Sequence, residues 1–275
     1  MIPSDESLNS TDVSTKWTAG YAEVTVYVSR VAMAKAAAKA IAAQIRAVAG
    51  TKECVRMIFA AAPSQLEMLD NLVTLPGIPW DRVVAFHMDD YITLTAEAPQ
   101  RFANWLDKNL FSKVPFAEVH LIPADGAADK ICQTYAAKLA EAPIDIVCLG
   151  IGMNGHIAFN DPPVAKFDDQ MAVKIVELDE ICRQQQVDDA CFLSIEDVPP
   201  RAITLTIPRL LNANALFCVV PGTHKRRAVK LALEKPITTA CPASILRTHA
   251  NCKVFLDQES APNDRRQHKL GRCFM

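Results

Sequence analysis

Apolar residues in this chain come in short unbroken runs: 54–60 (CVRMIFA), 82–88 (RVVAFHM), 144–150 (IDIVCLG) and 215–222 (ALFCVVPG). A strand with one wet face alternates apolar with polar, whereas an unbroken run marks a strand buried on both faces. Shorter strand signals lie at 119–122, 201–207 and 252–257. Between the strands, residues 31–49, 63–73, 99–111, 128–142 and 224–234 carry apolar positions at helical spacing, and 242–249 reads as a further helix. Strands alternating with helices of this length describe βαβ units. The expected fold is α/β: a Rossmann-like open, mostly parallel sheet with helices on both faces. No repeat or low-complexity linker divides the 275 residues, so 1–275 is read as one domain, with about 1–20 and 258–275 as loose termini.

Charge and composition then remove several function classes. Net charge is −2 and no basic run stands out in the body of the chain, so no nucleic-acid partner is expected. The basic cluster in the tail after Gln258 reads as solvated. The N-terminal stretch lacks the basic-then-apolar pattern of a signal peptide, and no apolar run approaches the roughly 20 residues that span a bilayer. Nine cysteines, an odd number scattered without a C-x-x-C, read as reduced thiols. The expectation is a cytoplasmic protein with no membrane partner.

In an open parallel sheet, ligands bind beyond the carboxyl ends of the strands. Four strand ends carry polar groups here. Ala60–Ala62 lead to Ser64 at a helix start; His87 and Met88 lead to Asp89 and Asp90; GIGMNGHIAFNDPP occupies 150–163; Gly222 and Thr223 lead to His224 and Lys225. Ser64 at a helix N-terminus suits an anion. Lys225 lies where a helix dipole disfavours a cation, so an anionic ligand suits it better than bare solvent. Asp89 and Asp90 read either as caps of the next element or as partly desolvated carboxylates, the setting of a general base.

The third segment opens Gly150-Ile-Gly152-Met-Asn-Gly155, a literal G-x-G-x-x-G. A dinucleotide loop must run straight into a helix, and Pro162-Pro163 forbid one there. The glycines are expected to turn the chain at a strand end, Gly155 presenting His156. Asn154 and Asp161 stand at distances that let a loop fold both onto the imidazole, and a histidine held by one nitrogen shuttles protons with the other. A buried histidine bonded to backbone is the competing reading. His87, Asp89, His156 and Asp161 have no recognisable metal-ligand spacing, so no metal is expected.

At these residues the sequence resembles the glucosamine-6-phosphate deaminase/isomerase family, which shares its fold with the 6-phosphogluconolactonases. AFHMDDYITL (85–94) is similar to F-N-M-D-E-Y, LGIGMNGHIAFNDPP to G-x-G-x-D-G-H-I-A-F-N-E-P, and the stretch from VVPGTHK to ILRTH to the family's lysine loop. The similarity runs over roughly residues 20–257. It implies conversion of an amino-sugar phosphate to a ketose phosphate and ammonia, with no organic cofactor or metal, in a homo-oligomer. Asp89 would move the proton between carbons 2 and 1, with Asp90 its adjacent acid. His156 would pass a proton to the ring oxygen, Asp161 would position it, and Lys225 would grip the phosphate. The chain departs from the pattern at Asn154 (Asp in the best-known members), at Asp161 (Glu) and at AAAPSQ, where a Thr-Gly-Gly-Thr-like loop is usual; Ser64 stands in for its hydroxyls. Arg183 is the candidate for the family's phosphate-binding arginine. Because an amide adds no charge beside an imidazolium, Asn154→Asp is expected to speed ring opening. A sugar-phosphate isomerase or lactonase of the same fold, and a non-catalytic sugar-phosphate sensor, are the alternative readings.

Overall fold

The computed structural model describes residues 12–262. Eleven strands appear among them: β1 (Val13–Ala19), β2 (Ala22–Tyr27), β3 (Val55–Phe59), β4 (Val83–His87), β5 (Asp89–Tyr91), β6 (Glu118–His120), β7 (Ile144–Leu149), β8 (Val173–Glu177), β9 (Arg201–Leu205), β10 (Ala213–Val220) and β11 (Cys252–Asp257). Eight form one sheet in the order β1-β2-β11-β10-β7-β3-β4-β6, parallel throughout except for the antiparallel edge strand β1. From the centre the chain winds outward one way through β3, β4 and β6 and the other way through β7, β10 and β11. The reversal lies between β3 and β7, which is where a ligand crevice opens in this kind of sheet.

Helices α1 (Arg30–Ala49), α2 (Leu66–Thr74) and α3 (Phe102–Leu106) cover one face of the sheet; α4 (Ala128–Ala140) covers the other. Helices α5 (Glu180–Asp188), α6 (Ile207–Leu211) and α7 (Arg226–Glu234) complete the set, the last two on the α4 side. The unbroken apolar strands follow from this sandwiching. In β10, Phe217 and Val219 enter the core under α1, while Leu216, Cys218 and Val220 enter the core under α7. Ser29 caps α1 by accepting from the Ala32 N–H at 3.1 Å. The alanines that α1 turns inward let it lie close to the sheet.

Three expectations are corrected. Residues 13–19 are not part of a loose terminus: they are β1, joined to β2 by the two-residue turn Gly20-Tyr21 with Gly20 at φ +59°. Asp89 and Asp90, read from the sequence as following the end of a strand, form a further short strand, β5. The 201–207 strand is β9, and it pairs antiparallel with β5 and β8 in a separate three-stranded sheet. The tail cluster Arg265–Lys269 and Cys273 lie outside the described residues; the eight described cysteines form no disulfide. No described helix is long and apolar enough to cross a membrane.

Candidate active site

The four polar segments lie beyond the carboxyl ends of β3, β4, β7 and β10, and in the sheet these are neighbours, β10-β7-β3-β4. They line one open cleft. Ser64, Asp89, Gly152, His156 and Lys225 all line it.

The loop after β7 is built around the imidazole. A Cβ on Gly152 would lie 2.2 Å from Nε2 and Cε1 of His156, so the ring edge rests where any other residue would carry its side chain. Gly155 turns the chain at φ +87°, a conformation L side chains rarely adopt, with Cys241 Sγ 2.7 Å from a would-be Cβ. Downstream, the Asn160 amide donates to the Ile157 and Leu205 carbonyls, and Phe159 stacks on Phe102 at 5.4 Å. These contacts fasten the loop to the second sheet.

Behind the ring, Nδ1 of His156 lies 2.8 Å from Asn154 Oδ1 and 2.9 Å from Asp161 Oδ1. Both are acceptors, because the Asn154 amide nitrogen is committed elsewhere: it donates to Asp161 Oδ1 at 3.0 Å and to Asp179 Oδ2 at 3.1 Å. Nδ1 therefore carries the proton and Nε2 is left as an acceptor on the cleft side, the tautomer a proton shuttle requires. Burial pushes the Asp161 carboxyl up, but the hydrogen bond and charge of His156, with donors from Asn154 and the Asp179 backbone, hold it below the usual carboxylate range. Asp161 stays ionised and can stabilise an imidazolium.

Asp89 is the opposite case. It is buried in β5, and desolvation first, then the charges of Asp90 and Asp161, raise its pKa well above the ordinary value; the Phe159 N–H only partly offsets them. Lys225 is 3 % exposed, and burial lowers its ammonium to about 8 despite the carboxylate of Asp189.

Two assigned residues stand away from the cleft. Asp90 turns inward and caps α3: its carboxylate accepts from the N–H groups of Tyr91 (2.9 Å), Phe102 (3.0 Å) and Ala103 (3.3 Å) and pairs with Arg101 at 3.0 Å. Asp90 thus takes the capping arrangement and does not line the cleft. Arg183 spends its guanidinium on the carbonyls of Ile195 and Val198 and does not face the cleft, so it is no phosphate ligand in this arrangement. His87 is fully buried, accepts from the Ile122 N–H at 2.7 Å and is pushed down to about 3 by burial. His224 is exposed outside the cleft.

Four lining residues escaped the sequence reading: Gln65, Gln185, Gln186 and Asp189. Gln65 donates to the Val219 carbonyl at 3.0 Å, tying the β3 and β10 loops together. Gln185 accepts from the Met153 N–H at 2.8 Å and donates to Asp189 at 3.3 Å, which fastens α5 to the histidine loop. His156, Asp161 and Cys182 are the one group of possible metal-ligand atoms lying together among the described residues, all within 4.8 Å. The imidazole proton faces Asp161, and burial, with the carboxylate beside it, pushes the Cys182 thiol well up, so two of the three groups carry a proton where a metal would need lone pairs.

Residues 29–255 match the family described as glucosamine-6-phosphate isomerases/6-phosphogluconolactonase. The glucosamine-6-phosphate deaminase of Listeria innocua serovar 6a is 34% identical over 180 residues, 65% of this chain and 75% of that protein. The Bacillus thuringiensis (strain Al Hakam) deaminase is 36% identical over 181 residues, 65% of this chain and 67% of that protein. Among solved structures, a monomeric glucosamine-6-phosphate deaminase superposes with a TM-score of 0.80 at 24% identity, covering 86% of this chain and 98% of that one. The 6-phosphogluconolactonase of Thermotoga maritima superposes at 0.69 and 18%, covering 85% and 99%. A family match across most of the chain, joined to a fold that carries His156, Asp89 and Lys225 to one cleft, makes this protein a member of the glucosamine-6-phosphate isomerase/6-phosphogluconolactonase family of enzymes.

Proposed function

We propose that the chain converts glucosamine 6-phosphate, or a close analogue, and water to fructose 6-phosphate and ammonia. The observation that carries this reading is the pairing, in one cleft, of an imidazole with Nε2 free and a separate buried carboxylate of raised pKa. The reaction needs both. Opening the ring requires a group that relays a proton to the ring oxygen, which His156 supplies through Nε2. Moving the carbon 2 proton to carbon 1 requires a base that takes it and returns it, which is Asp89. Water then replaces nitrogen at carbon 2 and ammonia leaves. Lys225 and Ser64 hold the phosphate, and Asp161 stabilises the imidazolium formed in passing.

Hydrolysis of 6-phosphogluconolactone is the second reading, favoured by the shared fold. It would use Lys225 and His156 but has no carbon acid for Asp89 to serve. Purified protein is incubated with glucosamine 6-phosphate, and ammonia and fructose 6-phosphate are measured; 6-phosphogluconolactone is run in parallel. Equal release of both products supports the deaminase. No ammonia above a protein-free control, with the lactone hydrolysed, transfers the site to the second reading.

A further inference from the structure

Asp179 occupies the position before α5, where an acid ordinarily accepts from the helix's first free N–H groups. Its side chain does not cap the helix. Oδ2 instead accepts from the Asn154 amide at 3.1 Å, and the Asp179 backbone N–H donates to Asp161 Oδ2 at 3.1 Å. Every polar atom that Asp179 directs at the site thus meets the two residues behind His156, and none meets the cleft. We propose that Asp179 is a positioning residue: it fixes the orientation of the Asn154 amide and, through it, the Nδ1–H tautomer of His156.

An asparagine amide has one acceptor and one donor end. At Asn154 one end faces two carboxylate oxygens, of Asp161 and Asp179, and the other faces the backbone N–H and Nδ1 of His156. Two carboxylates accept only from the nitrogen end. Were the amide turned, its oxygen would oppose both carboxylates, and its NH2 group would meet Nδ1. Nδ1 would then keep only Asp161 Oδ1, at 2.9 Å, as an acceptor for its proton and would face a donor in place of the other, so the Nε2–H form, a donor where ring opening needs a base, would gain population. Without Asp179, only one of the two carboxylates still selects the working orientation. The same geometry explains the departure at Asn154. An acid there would be a third carboxylate against Asp161 and Asp179, so the amide fits because Asp179 is present. Asn154→Asp is accordingly expected to slow the enzyme, the reverse of the expectation from sequence.

The proposal takes its reaction from the deaminase reading, but the tautomer is measurable without substrate. The full chain, with 15N in its histidine rings, is examined by long-range 1H–15N correlation at a pH where His156 is neutral, the signal assigned with His156→Gln. Wild type is expected as the Nδ1–H tautomer. Asp179→Ala is expected to show a mixture with Nε2–H, and about a tenfold loss in kcat with KM within about twofold, the scale of removing a partner that orients a functional histidine. Asp179→Asn keeps an acceptor and the side chain's size; its loss is expected to be smaller. Adding Asp179→Asn to Asn154→Asp restores a donor–acceptor pair at that contact and is expected to recover part of the lost kcat. A wild-type tautomer in folded Asp179→Ala and Asp179→Asn, or strictly additive losses in the double variant, would overturn the proposal and leave Asp179 an anchor of α5. Wild type without turnover removes the deaminase reading, and the tautomer result still decides the role of Asp179.

Discussion

At the residue scale, the site rests on two carboxylates driven apart by their surroundings. Asp161 is held ionised by three neighbours, His156, Asn154 and the Asp179 backbone; Asp89, with fewer donors, is left wanting its proton. Because the native state raises the Asp89 pKa, folding binds that proton more tightly than the unfolded chain does. Stability therefore falls as pH climbs from the ordinary carboxylate range towards the raised value, and stays low above it. Asp89→Asn is expected to abolish turnover, retain substrate binding and raise Tm at neutral pH, by about 2–4 °C for each 1 kcal/mol regained. Calorimetry at pH 4 and pH 7.5 checks the sign, since the gain belongs to the higher pH. Lys225 sets the alkaline side. Its ammonium, lowered to about 8, loses its charge as pH rises through that value, so kcat/KM is expected to fall above about pH 8, mainly through KM. Lys225→Arg is expected to move that limb beyond the measurable range.

At the element scale, what was legible in the sequence follows the apolar pattern. Strands β3, β4, β7 and β10 were readable because burial on both faces leaves unbroken apolar runs, and the residues after them inherit their place from the sheet. Helix α5 was missed because its inward face is not apolar: Cys182, Gln185 and Gln186, with Asp189 just past its end, turn toward the loop and the cleft, so no hydrophobic stripe marks it. A helix that lines a polar site reads as a loop for that very reason. Asp90 was ambiguous because a capping acid and a catalytic acid share one residue type, and only the direction of the side chain separates them. Asp90→Ala would free the N–H groups of Tyr91, Phe102 and Ala103 and leave Arg101, 5 % exposed, without its partner. Breaking a buried pair in this way costs about 3–5 kcal/mol. Chemical denaturation should show a loss of this size. Asp90→Asn, which keeps acceptors for the N–H groups, should lose less.

At the scale of the whole molecule, the site is separated from the sheet's antiparallel edge. The cleft is assembled by β10, β7, β3 and β4, whereas β1 touches the sheet only through β2, with β11 between that hairpin and the nearest strand of the site. Its sequence signal was a Gly-X pair between two short runs, the mark of a two-residue hairpin, hidden because half of β1 stays wet. Residues 12–20 supply none of the described cleft residues, and from the core under α1 their removal takes only the partly buried Val13. Removing residues 1–20 does uncover the outer edge of β2, whose free N–H and C=O groups are a template for pairing with another chain. The truncated protein is expected to keep kcat and KM within about twofold of the full chain at low concentration, while sedimentation shows concentration-dependent association beyond that of the full chain. A large loss of kcat in a truncated protein that stays dispersed would mean that this hairpin reaches the site by a route other than the sheet. Retained activity with association would make β1 a cover for the sheet edge, distinct from the machinery that begins beyond β11.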